Sequence, residues 1–235
     1  MTDVTRRSFF GAAAAAATGL VALTAVSSPL HGQLVDKTDD WKLAEFRRLV
    51  QSKARVRQVY DVTAIGGGKF LNNIKNSLNG FHLGFGYPME QIQVLAALHG
   101  PANLLNFDDY VWEKYRVGEW LKVDDPKTGK PATRNIFYSR QMPHFASQDP
   151  ESEESMFQNT SIEVLQSRGV RFLSCHTASE EQSRIVIQRL GLSQSRDEVV
   201  KDWQAHTLPG VLVVASMVAA IAVLQCEGHY SHITV

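Results

Sequence analysis

The sequence predicts one α/β domain with a five-stranded, mainly parallel sheet and helices on both of its faces. Short runs rich in Val, Ile and Leu alternate with longer amphipathic runs, which is the pattern of a parallel sheet covered by helices. The chain has 235 residues, and about 200 remain beyond a predicted export signal, enough for one well-buried domain. We therefore expect a single domain over residues 31–235.

The first 30 residues have the features of a twin-arginine export signal. Arg6 and Arg7 precede Ser8-Phe9-Phe10, and an Ala-rich apolar stretch then leads to small residues at 27 and 28. The apolar stretch is short for a membrane span and poor in large side chains, so cleavage is favoured over an uncleaved anchor. We expect a periplasmic protein that is exported in its folded state.

The first half of the domain alternates between helical and extended patterns. A helix that begins near residue 41 has its apolar residues on one side, and Asp39 or Asp40 can cap it. The Val-rich alternation after residue 55 predicts the first strand, and a glycine turn opens the next helix. The predicted elements are a helix over 41–49, strand one over 56–65, a glycine turn and helix over 66–86, strand two over 90–100 and a helix over 107–122.

Residues 123–152, which we call the excursion, are proline-rich and irregular. This length is too great for an ordinary connection. We expect a functional loop, an oligomer arm or a mobile loop. The pattern then resumes with an amphipathic helix over 155–169, strand three over 170–175, helices near 179–190 and 196–205, strand four over 210–216, a helix over 217–228 and strand five over 230–235.

The segment 208–226 carries no charge and is nearly long enough to span a bilayer. Pro209 and Gly210 precede a β-branched run, which favours a strand, and the Ala-rich second half suits a helix packed closely on a sheet. Central parallel strands are continuous apolar runs. The sequence therefore favours a buried strand-helix unit, and we predict no membrane span after signal removal.

The charge balance argues against a nucleic-acid partner. The chain has 24 basic and 24 acidic residues, and no Lys/Arg stripe or RNA-binding motif is present.

A thiol is predicted at the carboxyl end of strand three. Ligands of open α/β sheets bind at the carboxyl ends of strands, where His99, Cys175 and Ser216 end strands two, three and four. Cys175 also precedes a helix, whose N-terminus favours a thiolate, and the adjacent His176 can assist. The alternative is a small buried hydrophobic residue, a common fate of free cysteine.

Two cysteines in an exported chain raise the question of a disulfide. Cys226 is predicted nine residues into the last helix, about 13 Å along its axis from the rim that holds Cys175. Bridged cysteines need Cα atoms within about 7 Å. We therefore expect two free thiols, with Cys226 as a buried packing residue.

The end of the chain, VASMVAAIAVLQCEGHYSHITV, resembles the end of the DsrE/DsrF-like sulfur-relay family. That family ends with a strand, a turn, a helix closing in Leu-Gln, then Glu-Gly and an aromatic strand, a pattern matched by Leu224, Gln225, Glu227, Gly228, Tyr230 and Ile233. The segments ALHGPANLL (97–105) and VRFLSCHTA (170–178) resemble the ends of its second and third strands. The resemblance covers residues 55–235 apart from the excursion.

The resemblance implies an oligomeric α/β protein in which Cys175 carries sulfur as a persulfide, with His99 as a rim residue. Two residues depart from the family pattern near the rim, namely Met217 in place of a common Gly and the extra His229. The family members with a relay role are cytoplasmic, so a cytoplasmic relay partner is not expected for an exported chain.

The sequence leaves two functions open. The first is a sulfur carrier or sulfurtransferase that uses Cys175, assisted by His99 or His176, with a small sulfur donor or an acceptor protein as partner. The second is a non-enzymatic module of the same fold that binds a metal or a small ligand. Cys175, His99 and His176 could bind copper or zinc, but their spacing matches no recognised ligand pattern, and GGGK (66–69) lacks the rest of a phosphate loop. No cofactor is predicted.

Overall fold

The protein is described from a computed structural model over residues 41–139 and 141–235. The predicted export signal, residues 1–30, and the proposed capping residues Asp39 and Asp40 lie outside this described part of the chain.

Five strands form one sheet, and every neighbouring pair in it is parallel. The strands are β1 Val56–Val62, β2 Ile92–Leu98, β3 Asp124–Asp125, β4 Lys130–Pro131, β5 Arg171–Cys175, β6 Leu212–Val214 and β7 Ser231–Thr234. Their order across the large sheet is β6-β5-β2-β1-β7, while β3 and β4 form a separate antiparallel pair. The predicted fold class is confirmed, and the sheet is parallel throughout.

Helices pack on both faces of this sheet. They are α1 Leu43–Val50, α2 Lys69–Asn79, α3 Asp109–Lys114, α4 Val117–Leu121, α5 Ile162–Ser167, α6 His176–Leu190, α7 Arg196–Ala205 and α8 Met217–Cys226. A 3-10 helix over Gly100–Asn106 follows β2.

Successive side chains of each strand enter different cores, because strand side chains alternate between the two faces. In β1, Tyr60 and Val62 join the larger core with α2, α3, α5 and α7. Val59 joins the smaller core with α1 and α8, which also contains Cys175. The thiol therefore lies on the face that α1 and α8 cover.

Two predicted helices differ in the structure, since one is shorter than predicted and the other is divided into two. The predicted helix 155–169 forms only at Ile162–Ser167, since side chains of the preceding turns bind nearby backbone groups instead. The Ser155 hydroxyl accepts from the Phe157 N–H at 3.3 Å, and Asn159 Oδ1 accepts from the Ser161 N–H at 2.8 Å. The predicted helix 107–122 is divided at Arg116, whose φ of 51° is left-handed.

The excursion packs against the domain through its first half. Asn135 is 1% exposed, and its Nδ2 donates to the carbonyl oxygens of Leu105 and Phe107 at 2.9 Å each. A Cβ atom on Gly118 of α4 would lie 2.2 Å from the Ala132 carbonyl oxygen, so the close approach of the excursion requires glycine there. This half of the excursion is therefore an integral part of the fold.

The uncharged segment 208–226 forms β6 and α8, as predicted. In residues 41–139 and 141–235, every helix is too short or too polar to cross a bilayer. Both cysteines are free, and Cys175 is buried while Cys226 is exposed. The prediction that Cys226 packs in the core was wrong, because α8 is apolar on all sides and its composition does not identify the side that faces the sheet.

Candidate functional site

Cys175 is the last residue of β5 and the residue that caps α6. The sulfur of Cys175 takes the place of the usual oxygen of an N-cap, since it accepts from the Ala178 N–H at 3.4 Å. The side chain is almost fully enclosed, with only 3% of the residue exposed. Strand and helix meet at this one residue, so its backbone has little freedom.

A second helix also directs its N-terminus at the same sulfur. The N–H of Met217, the first residue of α8, donates to Sγ at 3.3 Å, and Thr177 Oγ1 lies 3.0 Å from Sγ. Two backbone N–H groups and one hydroxyl thus surround the sulfur. Helix N-termini carry partial positive charge, so these groups form an environment that suits negative charge on sulfur.

Asn103 holds the backbone of Cys175 in place. This residue of the 3-10 helix has no exposed surface. Its Oδ1 accepts from the Cys175 N–H and from the Ser174 hydroxyl, both at 2.9 Å, and its Nδ2 donates to the Cys175 carbonyl oxygen at 3.2 Å. One side chain therefore satisfies both backbone groups of the thiol residue.

His99 lies directly after β2, which has β5 with Cys175 as one neighbour and β1 as the other. Its ring binds a carboxylate of β1, away from Cys175. Nε2 of His99 donates to Asp61 Oδ1 at 2.6 Å. Nε2 of His232 in β7 donates to the other oxygen of Asp61 at 3.2 Å. Asp61, near the end of β1, therefore binds two imidazole rings, one directly after β2 and one within β7, the two strands that flank β1.

His176 is the first residue of α6, and its ring is directed toward α7. Gln204 Nε2 donates to Nδ1 of His176 at 2.9 Å, which leaves the proton on Nε2. That nitrogen lies 4.0 Å from a carboxylate oxygen of Glu180, a side chain that is 1% exposed. Arg196 of α7 approaches the same oxygen at 3.8 Å. His176 therefore belongs to a charged cluster between α6 and α7.

The predicted rim follows from the strand order. Because β6, β5 and β2 are neighbours in the sheet, the strands before Ser216, Cys175 and His99 end side by side. The hydrogen bonds that described residues make to the sulfur come from Thr177, Ala178 and Met217. The two histidines lie near the rim, yet each ring is hydrogen-bonded to a different group.

Sequence reasoning missed four contributors to this site: Asp61, Asn103, Thr177 and the N–H of Met217. Two of them, Asn103 and the Met217 N–H, act through positions that no local pattern marks. Thr177 had a usable signal, because a hydroxyl two residues after a capping residue can reach back to its side chain. Asp61 had a weaker signal, since an acidic residue in a Val-rich strand is out of place in a core.

The part of the chain that the structure describes contains no group of three or more His, Cys, Asp or Glu side chains placed to bind a metal. A groove of about 400 Å³ opens between α1, α8 and the end of β6. Ser216 borders this groove, as do Arg47 of α1 and Glu227, the residue after α8. The groove therefore begins one residue away from the N–H group that binds the sulfur.

Comparisons with known proteins identify no relative, since no family model, curated protein or solved structure matches this chain.

Proposed function

We propose that the protein handles sulfane sulfur, with Cys175 as the residue that accepts it and passes it on. The observation that carries this proposal is a set of three polar contacts to Sγ. The Ala178 N–H of α6 and the Met217 N–H of α8 donate to the sulfur, and the Thr177 hydroxyl lies within hydrogen-bond distance of it. An inert packing cysteine has no need for two helix N-termini directed at its sulfur. The resemblance of 170–178 and 214–235 to the DsrE/DsrF-like family supports the same role.

The proposed transfer balances without an external oxidant. The Cys175 thiolate attacks the outer sulfur of a donor persulfide R–S–SH, a new S–S bond forms, and the original S–S bond breaks. The donor leaves as R–S⁻ with the electron pair of the broken bond. The proton of the transferred sulfur passes to R–S⁻ or to solvent, so Cys175 is left as a persulfide anion within reach of the same donors.

Burial limits which donors can reach the sulfur. Cys175 is 3% exposed, and its neighbours in the two first turns, Thr177 and Ser216, are half-buried. A small polysulfide or persulfide therefore fits the proposal better than a bulky donor. The role is that of a carrier or sulfurtransferase that accepts one sulfur at a time from a small donor and passes it to an acceptor protein.

His99 acts in this proposal at the edge of the site, where Asp61 fixes the orientation of its ring. The carboxylate accepts from Nε2, so the other ring nitrogen, Nδ1, is left as a hydrogen-bond acceptor that can orient a donor molecule. His176 directs its Nε2 toward the buried carboxylate of Glu180 near the first turn of α6, at 4.0 Å.

The experiment that tests the proposal is intact-protein mass spectrometry before and after incubation of the purified protein with polysulfide. The matched variants are Cys226→Ser and Cys175→Ser/Cys226→Ser, because Cys226 is exposed and offers a competing thiol. We expect the Cys226→Ser protein to gain sulfur mass that is lost on reduction, and the Cys175→Ser/Cys226→Ser protein to gain none. A Cys175 that gains no sulfur, and that alkylates only after denaturation, would refute the proposal and favour the ligand-binding module.

We also propose that the protein works in the periplasm after twin-arginine export, which the pattern at Arg6 and Arg7 supports. Replacement of both arginines by lysine should leave the protein in the cytoplasm of a host with this pathway. Cell fractionation and immunoblotting measure this, and unchanged export of the lysine variant would contradict the proposal.

A further inference from the structure

The groove between α1 and α8 has the dimensions of a ligand site. Its volume is about 400 Å³, within the range of about 300–1,000 Å³ that is typical of pockets for small molecules. The space is open because α8 turns two consecutive small residues, Ala219 and Ala220, toward it, while Phe46 and Val50 of α1 line the other side. Most of this lining is apolar, so a ligand that fits the groove has an apolar body.

One end of the groove adjoins the sulfur of Cys175. α8 runs from the end of β6 back toward the start of β7, and the hydroxyl of Tyr230, just before β7, donates to the Leu49 carbonyl oxygen near the end of α1 at 2.8 Å. Both helices therefore begin at the carboxyl ends of the strands. Ser216 borders the groove there, next to Met217, whose N–H donates to Sγ of Cys175. We call this the rim end of the groove.

Aromatic side chains line the groove at its rim end. Trp41 lies just before α1, and its ring packs against that of Phe46 with 5.6 Å between the ring centroids. Both residues border the groove. Aromatic rings pack favourably against other aromatic groups, so the rim end suits an apolar carbon skeleton, and an aromatic one best.

Two side chains of opposite charge, Arg47 and Glu227, border the groove. Among the residues that the structure describes, neither of them forms an ion pair with the other or with a third side chain. Glu227 lies eleven residues beyond Ser216, about 16 Å along the axis of α8, so its negative charge is at the end away from the rim. The charges therefore favour an anionic group at Arg47 and disfavour one at the far end.

From these observations we infer that the groove binds a small carboxylate with an apolar carbon skeleton. The skeleton packs against Trp41 and Phe46, the carboxylate pairs with Arg47, and Glu227 repels a ligand in the reverse orientation. When the skeleton also carries a persulfide, the rim end brings that group beside Cys175. This last step rests on the proposed function, and it names the sulfur donor as an organic persulfide that carries a carboxylate.

The transfer from such a donor balances in the same way as from any persulfide R–S–SH. The Cys175 thiolate forms a bond to the outer sulfur, and the S–S bond of the donor breaks with its electron pair on the inner sulfur. The carboxylate-bearing thiolate leaves and takes up a proton from the new persulfide or from solvent. No oxidant or reductant is consumed.

The first test measures binding without sulfur chemistry. The probes are p-toluate and its neutral amide, p-toluamide, titrated into the purified protein and followed by two-dimensional NMR. We expect p-toluate to bind with a Kd of about 1 mM, an affinity ordinary for a molecule of this size, and to shift the amide signals of Ala219 and Ala220.

The matched variants for this test change adjacent arginines of α1. Arg47→Gln should weaken p-toluate about fivefold, the upper value for an exposed ion pair, and should leave the affinity for p-toluamide unchanged. Arg48→Gln changes a residue that does not border the groove, so it should alter the affinity for neither probe.

The second test compares two sulfur donors in a Cys226→Ser background, which leaves Cys175 as the reacting thiol. The donors are the persulfide of p-(mercaptomethyl)benzoate and inorganic polysulfide, and mass spectrometry gives the rate of sulfur gain from each. Ala219→Trp fills the groove and should lower the ratio of the organic to the inorganic rate at least about tenfold, because the aromatic ring of the donor loses its apolar contacts. The control Val218→Trp places the same side chain on a residue that is 67% exposed and outside the groove, and it should keep the ratio.

The carboxylate site is refuted if p-toluate shows no saturable binding well above this Kd, since another part of the chain or a second copy then fills the groove. It is also refuted if Arg47→Gln and Arg48→Gln weaken p-toluate equally. An unchanged ratio of rates in Ala219→Trp overturns the organic donor. A protein that binds p-toluate but gains sulfur from neither donor refutes the proposed function and leaves the carboxylate site in place, so the two failures are distinguishable.

Discussion

Replacement of Asn103 by alanine should destabilise the protein strongly, because one buried side chain satisfies the backbone of the thiol residue. The substitution leaves the Cys175 N–H and the Ser174 hydroxyl without the acceptor they share. The Cys175 carbonyl oxygen keeps a second donor in the Ser179 hydroxyl at 3.2 Å. An orphaned buried polar group costs about 1–3 kcal/mol, so two such groups cost about 2–6 kcal/mol.

For a domain of this size, each kcal/mol lowers the melting temperature by about 2–4 °C. The middle of that range, about 4 kcal/mol, corresponds to a fall of about 8–16 °C, which differential scanning calorimetry measures directly. The control Asn72→Ala changes an exposed residue of α2 and should alter stability by less than about 0.5 kcal/mol. A loss of less than about 1 kcal/mol for Asn103→Ala would show that these hydrogen bonds do not hold the site together.

Further predictions concern the sulfur and two titrating side chains. Thr177→Val should slow the reaction of Cys175 with polysulfide about fivefold, which corresponds to one hydrogen bond of about 1 kcal/mol. Thr177→Ser should restore the rate. An unchanged rate in Thr177→Val would show that the hydroxyl does not contribute to the reaction. Burial raises the pKa of Asp202, but hydrogen bonds from Lys114 and Tyr115 outweigh burial and hold this pKa below its ordinary value of 3.8. The stability that ionised Asp202 contributes is therefore present above pH 3.8 and is lost as the pH falls through the lowered pKa. In urea unfolding, Asp202→Asn should have a lower free energy of unfolding than wild type at pH 7, and this difference should disappear in acid. Burial raises the pKa of Tyr230 from 10.0 to about 12, and its hydroxyl donates to the Leu49 carbonyl oxygen at 2.8 Å. Stability should be retained up to pH 10 and fall as the pH rises toward 12, and Tyr230→Phe should flatten that decline in pH-dependent unfolding.

The strands of the large sheet could be predicted because their composition depends on burial on both faces. β5 and β6 are short apolar runs that follow the turns at Gly169 and Gly210, and helical patterns begin soon after each of them. The position of Cys175 at the junction of strand and helix follows from the same pattern. Its neighbours do not, because a hydrogen bond between Asn103 and Cys175 joins residues 72 positions apart.

The orientation of α8 could not be predicted from its sequence. In an amphipathic helix the polar residues mark the outer side, whereas α8 is apolar all round and gives no such mark. Cys226 was therefore assigned to the core, although it faces outward. The short α5 has a related cause, since the competition between side-chain and helical hydrogen bonds at Ser155 and Asn159 is decided by local geometry that composition does not show.

The pairing of Asp61 with two histidines has a consequence for the order in which the protein folds. His99 is 38 residues from Asp61 along the chain, and His232 is 171 residues away. Closing the longer loop costs about 1.3 kcal/mol more chain entropy than closing the shorter one, and distant contacts form slowly. Asp61 therefore gains its first imidazole when β2 joins β1 and its second only when β7 docks, so the contact between Asp61 and His232 reports on the docking of β7 against β1.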